Sequence, residues 1–273
     1  MNYRFNSFYS NEKMHPFVES MAAALTDAEK QSMLPDFIGA FRIKALNSFR
    51  KHSESMKTTC RDLIEERRSH PVEGADLLNA MMQGKDPKTG EGMSDELIIG
   101  NLITFLIAGH ETTSGLLSFV FYYLLENQRV LNKARQEVDD VVGDGNLTVD
   151  HLAKMPYINQ ILRETLRLMP TAPGFYVTPE KDEIIGGKYA VPAGEPLLLF
   201  LHLIHRDPAV WGPDADDFKP ERMADEFFEA LPKNAWKPFG NGMRGCIGRE
   251  FAWQEAKLVS PIQNFLRIVL TYV

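Results

Sequence analysis

The chain has 273 residues, of which 44% are hydrophobic and 25% are charged, and this ordinary globular usage excludes a disordered or fibrous protein. Its formal net charge of -7 argues against nucleic acid, so we expect no nucleic-acid partner. The 2 cysteines, Cys60 and Cys246, are too few for a disulfide framework and indicate a reducing compartment, so we predict a soluble, cytoplasmic protein.

Apolar periodicity and capping residues predict long helices in the first two thirds of the chain and short strands later. Helices are expected near residues 16–29, 46–68, 94–126, 130–142, 158–169 and 249–259. Strands are expected at 175–177, 183–185, 188–189 and 197–199, and residues 184–189 are expected to form a hairpin. The pattern predicts a mainly α-helical protein with a small β-sheet region.

The predicted helix at 94–126 carries polar residues in the middle of an apolar stretch. A membrane span is excluded, because Glu111 at mid-bilayer would cost about 2.5–3.5 kcal/mol, so we expect no transmembrane segment. Gly109 weakens the helix and Thr112 can turn its hydroxyl onto the backbone, which predicts a local bulge or kink. The pair His110-Glu111 does not form a zinc-protease motif, because position 114 is not histidine. An incidental polar patch on a buried helix is the alternative.

The most specific motif is the run Phe239–Gly248, which places Cys246 in a turn with Arg244 two positions before it. A cysteine so placed is expected to be a thiolate ligand of haem iron. The run also contains Phe239 and the glycines Gly240, Gly242 and Gly248. Without Cβ atoms, these glycines let the backbone adopt left-handed conformations and approach a flat macrocycle. Arg244 suits a haem propionate, whereas the alternative is a surface turn with a free cysteine.

The complete pattern F-G-x-G-x-R-x-C-x-G resembles the haem-binding loop of the cytochromes P-450, and further motifs of that family occur upstream in the family's order. The segment 108–113 resembles the family's oxygen-binding motif. By this resemblance Thr112 hydrogen-bonds O2 and Glu111 feeds a proton relay. The resemblance also implies three residues that line the pocket, namely Phe105, Ile107 and Ala108.

A third motif places Glu164 and Arg167 three positions apart on one helix face. On an exposed helix this pair is worth only a few tenths of a kcal/mol and has no functional meaning by itself. The segment 218–222 resembles the family's second arginine segment. The resemblance therefore implies that Glu164, Arg167 and Arg222 form a buried charge network, which braces the haem loop rather than reacting.

The resemblance is strongest to the soluble, self-sufficient bacterial and fungal fatty-acid hydroxylases, and it is carried by segments 2–9, 84–91 and 170–173. In that subgroup Ala172, Pro173 and Gly174 are candidate substrate contacts, where small residues leave room for an apolar chain. The implied function is a haem-thiolate monooxygenase that inserts one oxygen atom from O2 into an unactivated C–H bond of a fatty acid or similar molecule, with haem b as cofactor. Since no flavin or nucleotide fingerprint follows, NADPH and flavins are expected to act only through a separate partner reductase.

The chain departs from the family pattern at both ends. The family's upstream tryptophan with an arginine four positions on is absent, the early sheet and final hairpin have no counterpart, and 265–273 is expected to be a strand or helix remnant. The resemblance therefore implies one domain over residues 1–273, a partial P-450 haem domain that starts inside the family domain. The alternative function is a truncated fragment that keeps the motifs without binding haem productively.

Overall fold

The computed structural model describes residues 3–6, 14–32, 43–74, 76–143 and 145–260. Within these ranges the backbone forms α-helices, four short strands and two 3-10 helices. The helices are α1 (Pro16–Ser32), α2 (Ile43–Ser69), α3 (Leu77–Gln83), α4 (Asp95–Glu126), α5 (Gln128–Val142), α6 (Val149–Leu152), α7 (Pro156–Leu168), α8 (Leu201–Ile204), α9 (Pro208–Trp211), α10 (Asp225–Glu229) and α11 (Arg249–Val259). The strands are β1 (Gly174–Val177), β2 (Glu183–Ile185), β3 (Tyr189–Val191) and β4 (Leu197–Phe200), and the 3-10 helices are Pro220–Met223 and Gly242–Arg244.

The predicted mainly helical architecture with a small β region is confirmed. All six predicted helices are present, and α11 has the predicted bounds. The short helices α3, α6, α8, α9 and α10 were not predicted, since one or two turns are too short to establish an apolar period. The predicted remnant at 265–273 and half of the segment 2–9 lie outside the described residues.

By its internal contacts the chain divides into two compact units, residues 1–108 and 109–273, so the single domain stays a prediction. In the first unit α1 packs against α2. The apolar core of this unit includes Phe17, Met56, Ile64, Leu78 and Leu102. Cys60 belongs to the same core, where burial raises the pKa of its thiol to about 11 and keeps it protonated.

The second unit has its own apolar core, formed by the later half of α4 with α5, α7 and α11. Members of this core include Leu116, Val120, Leu131, Ile158 and Leu162. The carboxylate of Glu137 on α5 accepts the backbone N–H groups of Tyr157 (2.7 Å) and Ile158 (2.9 Å). These N–H groups have no partner within the first turn of α7, so Glu137 fixes where α7 begins.

The strands form two antiparallel pairs, β1 with β4 and β2 with β3. The second pair is the predicted hairpin, in which Ile185 pairs with Tyr189. Gly186 and Gly187 make its turn with φ angles of 60° and 68°, a region that favours glycine. β3 begins one residue later than predicted, because the Lys188 N–H closes the turn on the Ile185 carbonyl (3.2 Å).

Helix α4 is α-helical from Asp95 to Glu126, so the predicted bulge or kink near Gly109 is wrong. The hydroxyl of Ser114 donates to the carbonyls of His110 (2.8 Å) and Glu111 (3.1 Å). A carbonyl oxygen has two lone pairs, so it can accept this extra bond without losing its helical partner. Among the described residues, no helix is both long and apolar enough to cross a membrane.

Candidate functional site

The glycine-rich run folds into a compact loop that presents Cys246 on the surface. The N–H of Cys246 donates to the carbonyl of Phe239 (2.9 Å), and the N–H of Gly240 donates to the carbonyl of Lys237 (3.0 Å). Gly240 and Gly242 both have φ angles of 64°, which a residue with a Cβ rarely adopts. The two glycines are therefore required by the loop's own backbone.

The sulfur of Cys246 lies beside the beginning of α11. Gly248 is the residue that precedes this helix, and a Cβ built on it would lie 3.9 Å from the Cys246 Sγ. The unpaired N–H groups in the first turn of a helix carry partial positive charge, which stabilises a nearby thiolate. The predicted junction between loop and helix is thus present at the cysteine.

Exposed apolar side chains lie within five positions of Cys246 in the chain. Met243 is fully exposed, Ile247 is 85% exposed and Phe251 on α11 is 71% exposed. Exposed apolar groups close to one another are costly in water and mark a surface that binds an apolar partner. A thiol, a glycine backbone and apolar flanks together fit a flat macrocycle such as haem, and Arg244, also exposed, can pair with a propionate.

An aromatic cluster holds this loop against α7. Phe239 packs edge-on against Trp253 on α11, with ring centroids 5.7 Å apart, and lies 6.1 Å from the ring of Trp236. Both indole N–H groups bond to α7, that of Trp236 to the Arg163 carbonyl (3.1 Å) and that of Trp253 to the Asn159 amide oxygen (2.6 Å). Aromatic packing and two directional bonds therefore fix the loop on one helix.

On α7, Glu164 and Arg167 form a fully buried bidentate ion pair. The Arg167 Nε and Nη2 atoms donate to the two carboxylate oxygens of Glu164 at 2.8 and 2.9 Å. Arg222 adds a third bond through its Nε (3.1 Å), and the Lys219 N–H adds a fourth (2.9 Å). The Glu164 carboxylate thus pairs with both guanidinium groups, of which that of Arg167 is fully buried and that of Arg222 is 15% exposed.

The two arginines also donate to backbone carbonyls, and the Arg222 Nη2 pairs with the Asp214 carboxylate (3.3 Å). Arg167 donates to the carbonyls of His205 (2.8 Å) and Asp217 (3.1 Å). Arg222 donates to those of Trp211 (3.0 Å) and Asp214 (2.9 Å). These carbonyls come from the end of α8, from the last residue of α9 and from the irregular chain after α9, so the charge network fixes the path of a segment that has only short helices of its own.

Sequence reasoning missed His205, which is buried at the end of α8 between the charge network and the cysteine loop. Its ring contacts the Arg167 carbonyl and the Lys237 N–H. A histidine beside Arg206 and Asp207 is typical of an exposed polar turn, so the local sequence gave no signal of burial.

The residues of the predicted oxygen-binding segment lie along α4. Phe105 and Ile107 pack against the core of the first unit, whereas Ala108, Glu111 and Thr112 are exposed. Farther along the helix, a Cβ built on Gly115 would lie only 3.2 Å from the Thr171 Cγ2. The chain leading to Ala172 therefore passes close to α4 one turn after Thr112.

Ala172 and Pro173 are exposed, and Gly174 begins β1. A Cβ on Gly174 would lie 2.8 Å from the carbonyl oxygen of Leu199 on the paired strand, a distance that real Cβ atoms do not tolerate. The Pro173 carbonyl accepts the Leu201 N–H (2.8 Å). Strand pairing by itself therefore requires glycine at 174, whatever this segment contacts.

Comparison with known proteins agrees with this geometry. The profile of the family described as Cytochrome P450 matches residues 2–266. A self-sufficient cytochrome P450 monooxygenase, CYP505AG1 of Oidiodendron maius (strain Zn), is 60% identical over 97% of the chain, which covers 25% of that protein. CYP505E4 of Penicillium expansum is 59% identical over 95% of the chain, and CYP505E3 of Aspergillus terreus (strain NIH 2624 / FGSC A1156) is 57% identical over 95%, each with 25% of its length covered. The chain thus spans about a quarter of the length of these relatives.

Proposed function

The chain belongs to the cytochrome P450 family, and on that premise we propose that it is the haem-thiolate part of a monooxygenase. The proposed reaction inserts one atom of O2 into an unactivated C–H bond. The observation that carries this proposal is the exposed Cys246 thiol, which is set in a glycine-dependent loop at the start of α11 and has exposed apolar residues within five positions on either side of it in the chain.

Each residue of the thiolate side has a physical task in this proposal. Haem b bound through a cysteine sulfur receives electron density that favours O–O cleavage over oxygen carriage. Cys246 supplies the sulfur, and the first turn of α11 stabilises its negative charge. Arg244 holds a propionate, while Phe239 and the glycines keep the loop in place. Glu164, Arg167 and Arg222 brace the segment that leads to the loop and do not react.

We propose that Glu111 and Thr112 would hold and pass protons during the reaction. Both lie in the middle of α4, are exposed, and carry a carboxyl and a hydroxyl group suited to that task. Ala108 leaves room for the haem and O2, and Phe105 and Ile107 supply apolar lining. These roles are supported by position on the helix and by family membership.

The proposed substrate is an apolar chain-like molecule, such as a fatty acid. Two observations support it, namely the exposed small residues Ala172 and Pro173 and the close approach of Thr171 to α4. Gly174 contributes less to this argument, because β1–β4 pairing already requires it. The names of the relatives specify a monooxygenase and no substrate.

The electrons must come from a donor outside these 273 residues. We propose a reductase that uses NADPH and flavin, and the word self-sufficient in the relatives' names favours a donor carried in the remainder of a longer polypeptide over a separate chain. Between positions 233 and 257 five basic residues stand against two acidic ones, which suits an acidic donor face. A solvated helix face is the alternative explanation for this charge.

A reduced, carbon-monoxide difference spectrum tests the proposal, with the other cysteine as matched control. The wild-type chain and Cys60→Ala are expected to show a thiolate-type Soret band, because Cys60 is buried in the core of the first unit. Cys246→Ala is expected to lose the band, since it removes the sulfur ligand. Failure of the wild-type chain to take up haem would instead identify a fragment that keeps the motifs without the function.

A further inference from the structure

Both ring nitrogens of the fully buried His205 are used in hydrogen bonds. The Lys237 N–H donates to Nε2 (3.0 Å), so Nε2 must be the unprotonated nitrogen. The proton is then on Nδ1, which donates to the carbonyl of Arg167 (3.2 Å). Burial lowers the pKa of His205 to about 4, which keeps the ring in this neutral form at ordinary pH.

The two partners of His205 belong to the two parts of the proposed haem site. Arg167 is held by the bidentate pair with Glu164, and it donates in return to the His205 carbonyl (2.8 Å). On the other side, the Lys237 carbonyl accepts the Gly240 N–H (3.0 Å), within the loop where the Phe239 carbonyl accepts the Cys246 N–H (2.9 Å). A continuous set of bonds therefore leads from the buried ion pair to the backbone of the cysteine.

We propose that His205 is a positioning residue that transmits the fixed location of the Glu164–Arg167 pair to the loop that presents Cys246 to the haem. This inference rests on the proposed haem-thiolate function. The rigid imidazole offers one donor and one acceptor at a fixed separation, and its rotation is blocked by burial. Lys237 is thereby held at a fixed distance from α7, and Cys246, nine positions later, inherits that constraint through the bonds inside the loop.

Two variants separate the donor from the acceptor. In His205→Asn the amide nitrogen can occupy the position of Nδ1 and donate to the Arg167 carbonyl, but no acceptor reaches Lys237. In His205→Gln the longer side chain can place its oxygen near the position of Nε2 and accept from Lys237, but the donor to Arg167 is lost. Val138→Ala is the control for a loss of stability without a change at His205. Val138 is buried in the core of the second unit, which also contains His205, but it lies on α5.

Haem affinity, the Soret spectrum and amide hydrogen exchange of the haem-free chain are the readouts. For His205→Asn we expect an affinity loss of about 10–100-fold, the range for groups that orient a metal ligand, and faster exchange at Lys237 and Cys246. His205→Gln is expected to retain more affinity and more protection at Lys237 than His205→Asn. Val138→Ala is expected to bind haem with nearly wild-type affinity and an unchanged Soret band.

The outcomes test the positioning role of His205 separately from the proposed haem-thiolate function. If wild type takes up no haem, the proposed function fails, and the exchange rates at Lys237 and Cys246 still decide whether His205 holds the loop. If wild type binds haem and both His205 variants match Val138→Ala in affinity and exchange, His205 contributes stability alone and the inference is overturned. Should His205→Asn fail to fold, His205→Gln decides, because it has lost the donor to Arg167. A haem affinity and an exchange rate at Cys246 equal to those of Val138→Ala overturn the inference, and a lower affinity with faster exchange at Cys246 supports it.

Discussion

Glu164→Gln is expected to destabilise the second unit strongly. The carboxylate of Glu164 accepts four hydrogen bonds, from two nitrogens of Arg167, from the Arg222 Nε and from the Lys219 N–H. Glutamine keeps one oxygen and presents an NH2 group to donors at the other position. It also removes the negative charge that compensates Arg167, which has no solvent exposure.

The magnitude follows from this burial. Breaking a buried ion pair by neutralising one partner costs about 3–5 kcal/mol, because the remaining charge stays desolvated. The matched control is Asp225→Asn, which removes the carboxylate that pairs with Arg163 on the same helix at 2.6 Å. The Asp225 side chain is 70% exposed, so water replaces its partner and the expected cost is about 0–1 kcal/mol.

Urea unfolding followed by tryptophan fluorescence measures the stability of the second unit in both variants. All three tryptophans, at 211, 236 and 253, belong to the unit that contains Glu164. With a urea slope of about 2 kcal/mol per M, the Glu164→Gln midpoint is expected to fall by about 1.5–2.5 M. A fall no larger than that of Asp225→Asn would refute the argument that the pair is energetically buried. If Glu164→Gln does not fold, Arg222→Lys, which keeps the charge and loses the guanidinium fork, is expected to lie between the two.

Two further predictions concern pH and proton delivery. Because burial lowers the pKa of His205 to about 4 from about 6.5, the unfolded chain binds a proton between these values while the folded chain does not. The free energy of unfolding therefore decreases as pH falls below about 6.5, and this effect of His205 lowers it by about 2 kcal/mol at pH 5. Urea titrations at several pH values should show a smaller dependence for His205→Gln, and equal slopes would contradict the assignment. For the complete enzyme with its electron donor, Thr112→Ala is expected to consume more O2 per product formed, whereas Thr112→Ser should retain coupling. Unchanged coupling in Thr112→Ala would exclude a role of the hydroxyl in proton delivery.

Local features of the sequence predicted local features of the structure well. α11 has the predicted bounds because Gly248 and the apolar period that follows it are contiguous in the chain. The hairpin at 184–189 was predicted for the same reason, since two adjacent glycines determine its turn. The bulge near Gly109 was a wrong prediction, because the helix keeps its own hydrogen bonds through a residue of low propensity.

Gly174 shows where a local argument reaches its limit. In the sequence it is a small residue next to Ala172 and Pro173, and the resemblance assigned it to substrate contact. In the structure its missing side chain makes room for the Leu199 carbonyl, 25 positions away. A glycine at 174 is consistent both with substrate contact and with strand pairing. The structure shows that the pairing of β1 with β4 is sufficient to require it.

The sequence by itself determined the family, the long helices and the candidate thiolate ligand, because each depends on residues within a few positions of one another. The tertiary structure decided which distant groups meet. Arg222 reaches Glu164 across 58 positions, and His205 contacts Arg167 and Lys237 across 38 and 32 positions. The local sequence does not distinguish a buried polar side chain from a solvated one. Only the packing of distant segments excludes water from such a side chain and supplies protein hydrogen-bond partners instead.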